Sequence, residues 1–176
     1  MMNTEASVDD AFAAAEQAAG KYLTFVMGKE EFGLRILKVR EIIRLPKITS
    51  VPEIPDYLRG IINLRGQVIP VIELRRKFGM KPMDDSAKTC IVVLQVANGR
   101  KVMDMGIIID EVREVRDLTG ADIEPVPSFG VTVINDYLVG IGKVDTRVIM
   151  LLDSDALLSG DMKAAAGSGQ FGNEEN

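Results

Sequence analysis

The stretch I-P-D-Y-L-R-G-I-I-N-L-R-G-Q-V-I-P-V-I-E, residues 54–73, returns in altered form as I-N-D-Y-L-V-G-I-G-K-V-D-T-R-V-I-M-L-L-D at 134–153. At one fixed offset Ile, Asp, Tyr, Leu, Gly, Ile, Val and Ile keep their places. Earlier in each half, F-G-L-R-I-L-K-V-R-E-I (32–42) matches M-G-I-I-I-D-E-V-R-E-V (105–115) through Gly, Val, Arg and Glu. Two tandem matches in the same order indicate an internal duplication. Each half holds about five short strands, too few for an open sandwich, so the pattern predicts two small curled barrels packed together.

A duplication carries its own control. Features present in both halves are candidates for folding, and features present in one are candidates for function. Tyr57 and Tyr137, Gly60 and Gly140, and Asp56 and Asp136 therefore read as structural: a packed ring, a close backbone approach and a local turn partner. Arg65 reads the other way, because Asp145 occupies the equivalent turn, so the corner does not require that charge. Pro70 is matched by Met150. Lacking an N–H, it predicts an edge or a bulge in its strand.

Working outward, the pattern is mainly β. Y-L-T-F-V-M (22–27) and F-G-L-R-I-L (32–37) flank a G-K-E-E turn, and V-R-E-I-I-R (39–44) runs into a loop (45–55) whose three prolines exclude a helix or a central strand. Residues 60–64 and 68–72 form the arms around Arg65, and 73–78 make a short helix before Gly79. The second set comprises 89–96, 105–110, 112–115, 137–141 and 147–152; Asp153 then caps a last helix (153–159) ending at Gly160. The Ala-rich residues 1–20, with Asp9 or Asp10 as a possible cap, and the Gly- and Ser-rich residues 160–176 are expected outside the core.

Composition narrows the function. With no histidine, the usual general base, the imidazole metal ligand and the Ser-His or Cys-His pairs are missing. A net charge of −5 with few aromatics and no tryptophan argues against nucleic acid, and R-R-K at 75–77 reads as a solvated helix face or a helix C-terminal charge. Cys90, the single cysteine, sits in the apolar run C-I-V-V-L and reads as a buried small hydrophobe. The first residues lack a basic, apolar leader, and no run approaches the roughly 18 apolar residues of a membrane helix; the reading is a soluble, cytoplasmic protein. G-I-G-K-V-D (140–145) lacks the third glycine of a dinucleotide fingerprint. D-S-D (153–155) lacks the glycine and glutamate of a calcium loop. The carboxylate pairs Glu30 with Glu31 and Asp84 with Asp85 fall in turns. No assembled chemistry remains, which favours a binding module over an enzyme.

F-G-L-R-I-L-K-V-R-E-I-I (32–43) and Y-L-R-G-I-I-N-L-R-G-Q-V-I-P-V-I-E-L-R-R-K-F-G (57–79) resemble the CheW family of chemotaxis coupling proteins. D-L-T-G-A-D-I-E-P-V-P-S-F (117–129) and the closing Y-L-V-G-I-G hairpin extend the likeness over residues 21–159. The same fold forms the regulatory domain of the kinase CheA and the front half of CheV proteins; without an attached kinase-like or receiver-like sequence, the free-standing adaptor is the better match. The resemblance implies two five-stranded SH3-like barrels around a shared core. The first would span about 32–88 and the second about 89–152 plus the N-terminal strand region, strands being exchangeable between halves, with 1–20 a flexible or helical N-terminal extension and 160–176 a disordered tail. It implies no catalysis, no cofactor and no metal. It implies a protein, monomeric when free, that bridges the cytoplasmic tip of methyl-accepting receptors and the CheA regulatory domain and is recruited to receptor arrays through them. A paralogous scaffold for surface motility or second-messenger control fits the same residues. Carried over by position, the receptor-facing residues are Ile36, Val39, Glu41, Ile42, Arg65, Gly106 and Val112, and Phe129 belongs to a barrel-to-barrel contact with the kinase or in rings. Glu41 is matched by Glu114, so an inherited surface carboxylate and a dedicated contact both stay open.

Overall fold

A computed structural model describes residues 3–127 and 133–162. The elements are α1 (Asn3–Ala18), β1 (Gly20–Met27), β2 (Glu30–Arg35), β3 (Val39–Arg44), β4 (Leu58–Leu64), β5 (Gln67–Glu73) and α2 (Leu74–Lys77), followed by β6 (Cys90–Asn98), β7 (Lys101–Ile109), β8 (Glu111–Leu118), β9 (Ile123–Glu124), β10 (Leu138–Val144), β11 (Arg147–Leu152) and a final helix α3 (154–162). Short 3-10 turns occupy Ile36–Lys38, Gly120–Asp122 and Val133–Tyr137.

The strands form a six-stranded sheet, ordered β8-β1-β2-β11-β10-β9, and a five-stranded sheet, ordered β3-β6-β7-β5-β4. Under the duplication β1, β2 and β3 correspond to β6, β7 and β8, and β4 and β5 to β10 and β11. Both sheets then have the same plan, a hairpin from one half flanked by the third strand and the last hairpin of the other. Equivalent parallel pairs join the halves, β2 with β11 and β5 with β7. The sheets therefore divide the chain differently from a cut near residue 88. β2 joins the second half's strands, and β6 with β7 join the first half's.

Strand composition follows from burial on two faces. In β1, Leu23, Phe25 and Met27 enter a core shared by both sheets, while Tyr22 enters a smaller cluster inside the six-stranded sheet. In β6, Val92, Leu94 and Val96 face the shared core, and Ile91 and Val93 face the inside of the five-stranded sheet. Strands covered on both sides lose their polar alternation, which is why Thr24 is the one polar residue in 22–27 and Gln95 the one in 90–97. Phe25, Phe32 and Phe78 make a row of rings with centroids 5.7 and 5.5 Å apart; each such contact contributes about 0.5–1.5 kcal/mol beyond its area.

Pro70 sits where its missing N–H costs least. The two-residue turn makes Leu64 and Gln67 a hydrogen-bonded pair, so by alternation Ile61 and Pro70 are a non-bonded pair and the proline nitrogen points away from β4. On that side the parallel ladder with β7 begins only at Val71, whereas β11 pairs with β2 from Ile149 and includes Met150. The proline shortens the ladder of an otherwise interior strand.

The helical N-terminal extension and the last described helix both pack on the core. α1 runs through Asp9 and Asp10, so neither is its cap, and Ala15 and Ala18 pack into the cluster of Tyr22, Leu118 and Ile123. Asp153 does cap α3, accepting from the N–H groups of Asp155 and Ala156 at 3.0 and 3.1 Å. The helix does not stop at Gly160: Asp161 and Met162 are buried. Asp161 pairs with Lys77, whose ammonium lies 5.3 Å from the Tyr57 ring centroid and 5.4 Å from that of Tyr137. The duplicated tyrosines thus hold one lysine between them. Burial first, and Asp161 next, push the Tyr57 hydroxyl above its usual range.

Candidate partner-binding groove

Two local structures bring the groove together. β3 carries a bulge at Arg40, between Val39 opposite Leu94 and Glu41 opposite Val93, so Val39 packs against the shared core while Glu41 shares the Val93 side of the strand. β8 repeats the bulge at Arg113, with Val112 opposite Phe25 and Glu114 opposite Thr24. The turn between β4 and β5 has φ of 52° at Arg65 and 85° at Gly66, as a type I′ hairpin requires. Asn63 Oδ1 accepts from the Gly66 N–H at 2.8 Å and holds that turn.

From this corner the guanidinium reaches back to β3. Arg65 Nη1 donates to Glu41 Oε1 at 2.9 Å, and Nη2 bonds Oε2, a bidentate pair. Because β3 begins the sheet order and the β4–β5 hairpin ends it, the pair ties the two margins of a curled sheet. The hydrogen bond to Arg65 holds the Glu41 carboxyl below the usual range, and Glu41 raises the guanidinium. Val39, Arg40, Glu41, Leu64, Arg65, Gln67, Val93 and Asp104 surround a concavity of about 620 Å³, and Arg40 Nε stands 3.8 Å from Asp104 Oδ1.

Three of the residues singled out from sequence, Val39, Glu41 and Arg65, meet here. Ile36 lies on the adjoining 3-10 turn, packed on the shared core, and Ile42, 43 % exposed, alternates with Glu41 along β3. Gly106 presents no side chain to the groove. It is buried between Val93 and Val71, and a Cβ there would come within 2.8 Å of Ile91 Cγ2, so its role is clearance. Val112 belongs to the other sheet, where it packs on the shared core as its duplicate Val39 does. Phe129 lies outside the described residues. Sequence reading missed Leu64, Gln67, Val93 and Asp104, whose convergence depends on strand register.

The duplicate corrects one inference. Asp145 takes φ of 55° at the equivalent corner, so the fold accepts either charge there. Yet Arg147, two residues on, bonds Glu114 at 3.0 Å, so an arginine-to-glutamate tie across the sheet exists in both halves. Glu41 and Arg65 therefore share a fold-level task with Glu114 and Arg147. What distinguishes Arg65 is presentation: its side chain is 71 % exposed against 28 % for Arg147, which also stands 3.6 Å from the buried Glu31.

A second hollow of about 470 Å³ between α1 and the start of α3 is lined by Arg35, Lys38 and Asp155, among others. Its charges are already engaged, Lys38 with Asp155 at 2.8 Å and Arg35 with the Ala19 carbonyl. Among the described residues no helix is long and apolar enough to cross a membrane, and no group of three His, Cys, Asp or Glu is placed to hold a metal.

Two curled sheets around a common core, with an open groove of paired charges and apolar walls at one margin, define a protein-binding module. The family model described as CheW-like domain matches residues 21–162. The chemotaxis protein CheW of Klebsiella aerogenes is 38% identical over 151 residues, 86% of this chain and 89% of that one. A probable chemotaxis protein CheW of Rhizobium etli is 37% identical, over 85% and 94%. The crystal structure of the scaffolding protein TtCheW from Thermoanaerobacter tengcongensis aligns with a TM-score of 0.72 and 32% identity, covering 80% of this chain and 92% of that one. The chain belongs to the CheW-like family.

Proposed function

We propose that this protein is a non-catalytic adaptor of a chemosensory system, coupling the cytoplasmic tip of methyl-accepting receptors to the regulatory domain of the kinase CheA. The observation that carries this reading is the meeting of Val39, Glu41 and the outward-facing Arg65 in one groove of a CheW-like chain. A groove with a few apolar walls and an exposed arginine suits one face of a helix, with affinity concentrated in a small number of anchors. The protein works in the cytoplasm, is monomeric when free and reaches the membrane through its partners.

The test is a reconstituted kinase assay with receptor, CheA and this protein, with and without attractant. Arg65→Asp should abolish receptor control of autophosphorylation while moving the melting temperature little. The lost tie to Glu41 is an exposed ion pair, of a kind that contributes little to stability, and Asp145 shows that aspartate is accommodated at positive φ in the equivalent turn of the other half. Unchanged coupling in that variant would refute the assignment of the groove.

A further inference from the structure

The groove has a second arm that only one half possesses. In β1–β2, Thr24 pairs with Gly33 and the hairpin closes at Met27 with Glu30; in β6–β7, the equivalent Val93 pairs with Gly106, but the hairpin runs on to Asn98 with Lys101. The added pairs are Ala97 with Val102 and Asn98 with Lys101. By strand alternation, Val93, Gln95 and Ala97 on β6 and Gly106, Asp104 and Val102 on β7 share one face. Val93 and Asp104 line the groove, so Val102 extends its floor by two residues, about 7 Å.

Val102 is 55 % exposed, an apolar side chain continuing a lined wall into open solvent. Beside it, Arg100 in the turn is exposed and takes part in none of the ion pairs of the described residues, whereas the exposed Lys101 falls by the same alternation on the opposite face. The groove's own charges are matched, Arg65 by Glu41 and Arg40 by Asp104, so the tip adds a positive surplus at one end. The ribbon is anchored near its base. Asp155 of α3 accepts from the Ala97 N–H at 2.9 Å and bonds Lys38 at 2.8 Å. An anchored arm presents its side chains at small entropic cost.

We infer that the β6–β7 tip grips the segment seated in the groove. Val102 packs on its apolar face, and Arg100 of the turn meets a carboxylate roughly one helical turn beyond the residues facing Arg65. The occupant is thus an amphipathic helix with an acidic end. This inference rests on the groove being the receptor-facing site.

The test titrates a soluble receptor cytoplasmic hairpin into wild type, Val102→Ser, Arg100→Glu and Arg65→Asp, by calorimetry at low and moderate salt. Charge reversal at the tip should weaken binding at least ~10-fold at low salt and flatten its salt dependence. Val102→Ser should cost ~3- to 5-fold, and thermal midpoints should hold in both. If both tip variants bind as wild type while Arg65→Asp does not, the arm is overturned and the groove stands. If Arg65→Asp also binds as wild type, the groove reading falls and takes the arm with it.

Discussion

Replacing Gly60 with alanine sets one duplicate against the other. Gly60 has φ of +152°, and a Cβ on it would lie inside the envelope of the Thr49 carbonyl oxygen and 2.9 Å from Ile48 Cγ2. Neither is a free side-chain end. Thr49 is held by two backbone hydrogen bonds with Ile61, each 2.9 Å, and Ile48 packs on the core of the five-stranded sheet. The residue would adopt a conformation that costs about 1–3 kcal/mol outside glycine. It would also open two hydrogen bonds worth about 1 kcal/mol each and lift part of Ile48 from its cluster. The sum is roughly 4 kcal/mol, which for a domain of this size lowers the melting temperature by about 8–16 °C. At Gly140 the added Cβ meets Ile123 Cγ2 at 2.8 Å and the Glu124 oxygen at 3.3 Å, without a positive φ. A side chain can turn away where a carbonyl cannot, so Gly140→Ala should cost about 1–2 kcal/mol. Thermal unfolding by circular dichroism separates the two. Equal losses, or a Gly60→Ala protein within about 3 °C of wild type, would refute the reasoning from close backbone approach.

Two further outcomes follow from buried and paired charges. Asp161→Ala leaves the Lys77 ammonium buried against two tyrosine rings without its carboxylate; breaking such a pair, partly offset by the rings, should cost about 2–3 kcal/mol in urea unfolding. A loss within the error of that measurement would mean that α3 is not latched through Asp161. The Glu41 carboxyl, followed by NMR, should titrate below its ordinary 4.5 and return toward it in Arg65→Gln. Since the folded value is the depressed one, the tie with Arg65 is intact above the ordinary value and is lost as the pH falls through the lower, folded midpoint. A midpoint unaffected by Arg65→Gln would show that another group holds Glu41 ionised.

The hairpins were legible because local alternation and turn residues specify them, and the duplication made Arg65 and Pro70 stand out against Asp145 and Met150. Strand exchange left no local trace, since pairing of Leu34 with Leu152 depends on residues far apart in the chain. The stop at Gly160 was overridden by burial of Asp161 and Met162, and the docking of α1 rests on two alanines that any helix could carry. Within the site, Val39, Glu41 and Arg65 were readable as a pattern. Gly106 and its duplicate Gly33 both sit at a close approach, an added Cβ on Gly33 lying 3.1 Å from Leu151 Cδ2, so the match between the halves marks both as structural. The paired role of Arg147 escaped because it is displaced by two residues along the hairpin.

The interleaving of the halves has a consequence for synthesis. As the chain leaves the ribosome, β1 and β2 emerge before every other strand of the two sheets, yet β2's neighbour in the finished sheet is β11, the last of them. Until residues 147–152 are made, the first hairpin exposes an unpaired margin, the kind of surface that invites pairing with another nascent chain. Neither half can complete a sheet alone, so cooperative folding of the two sheets must wait until β11 has been made.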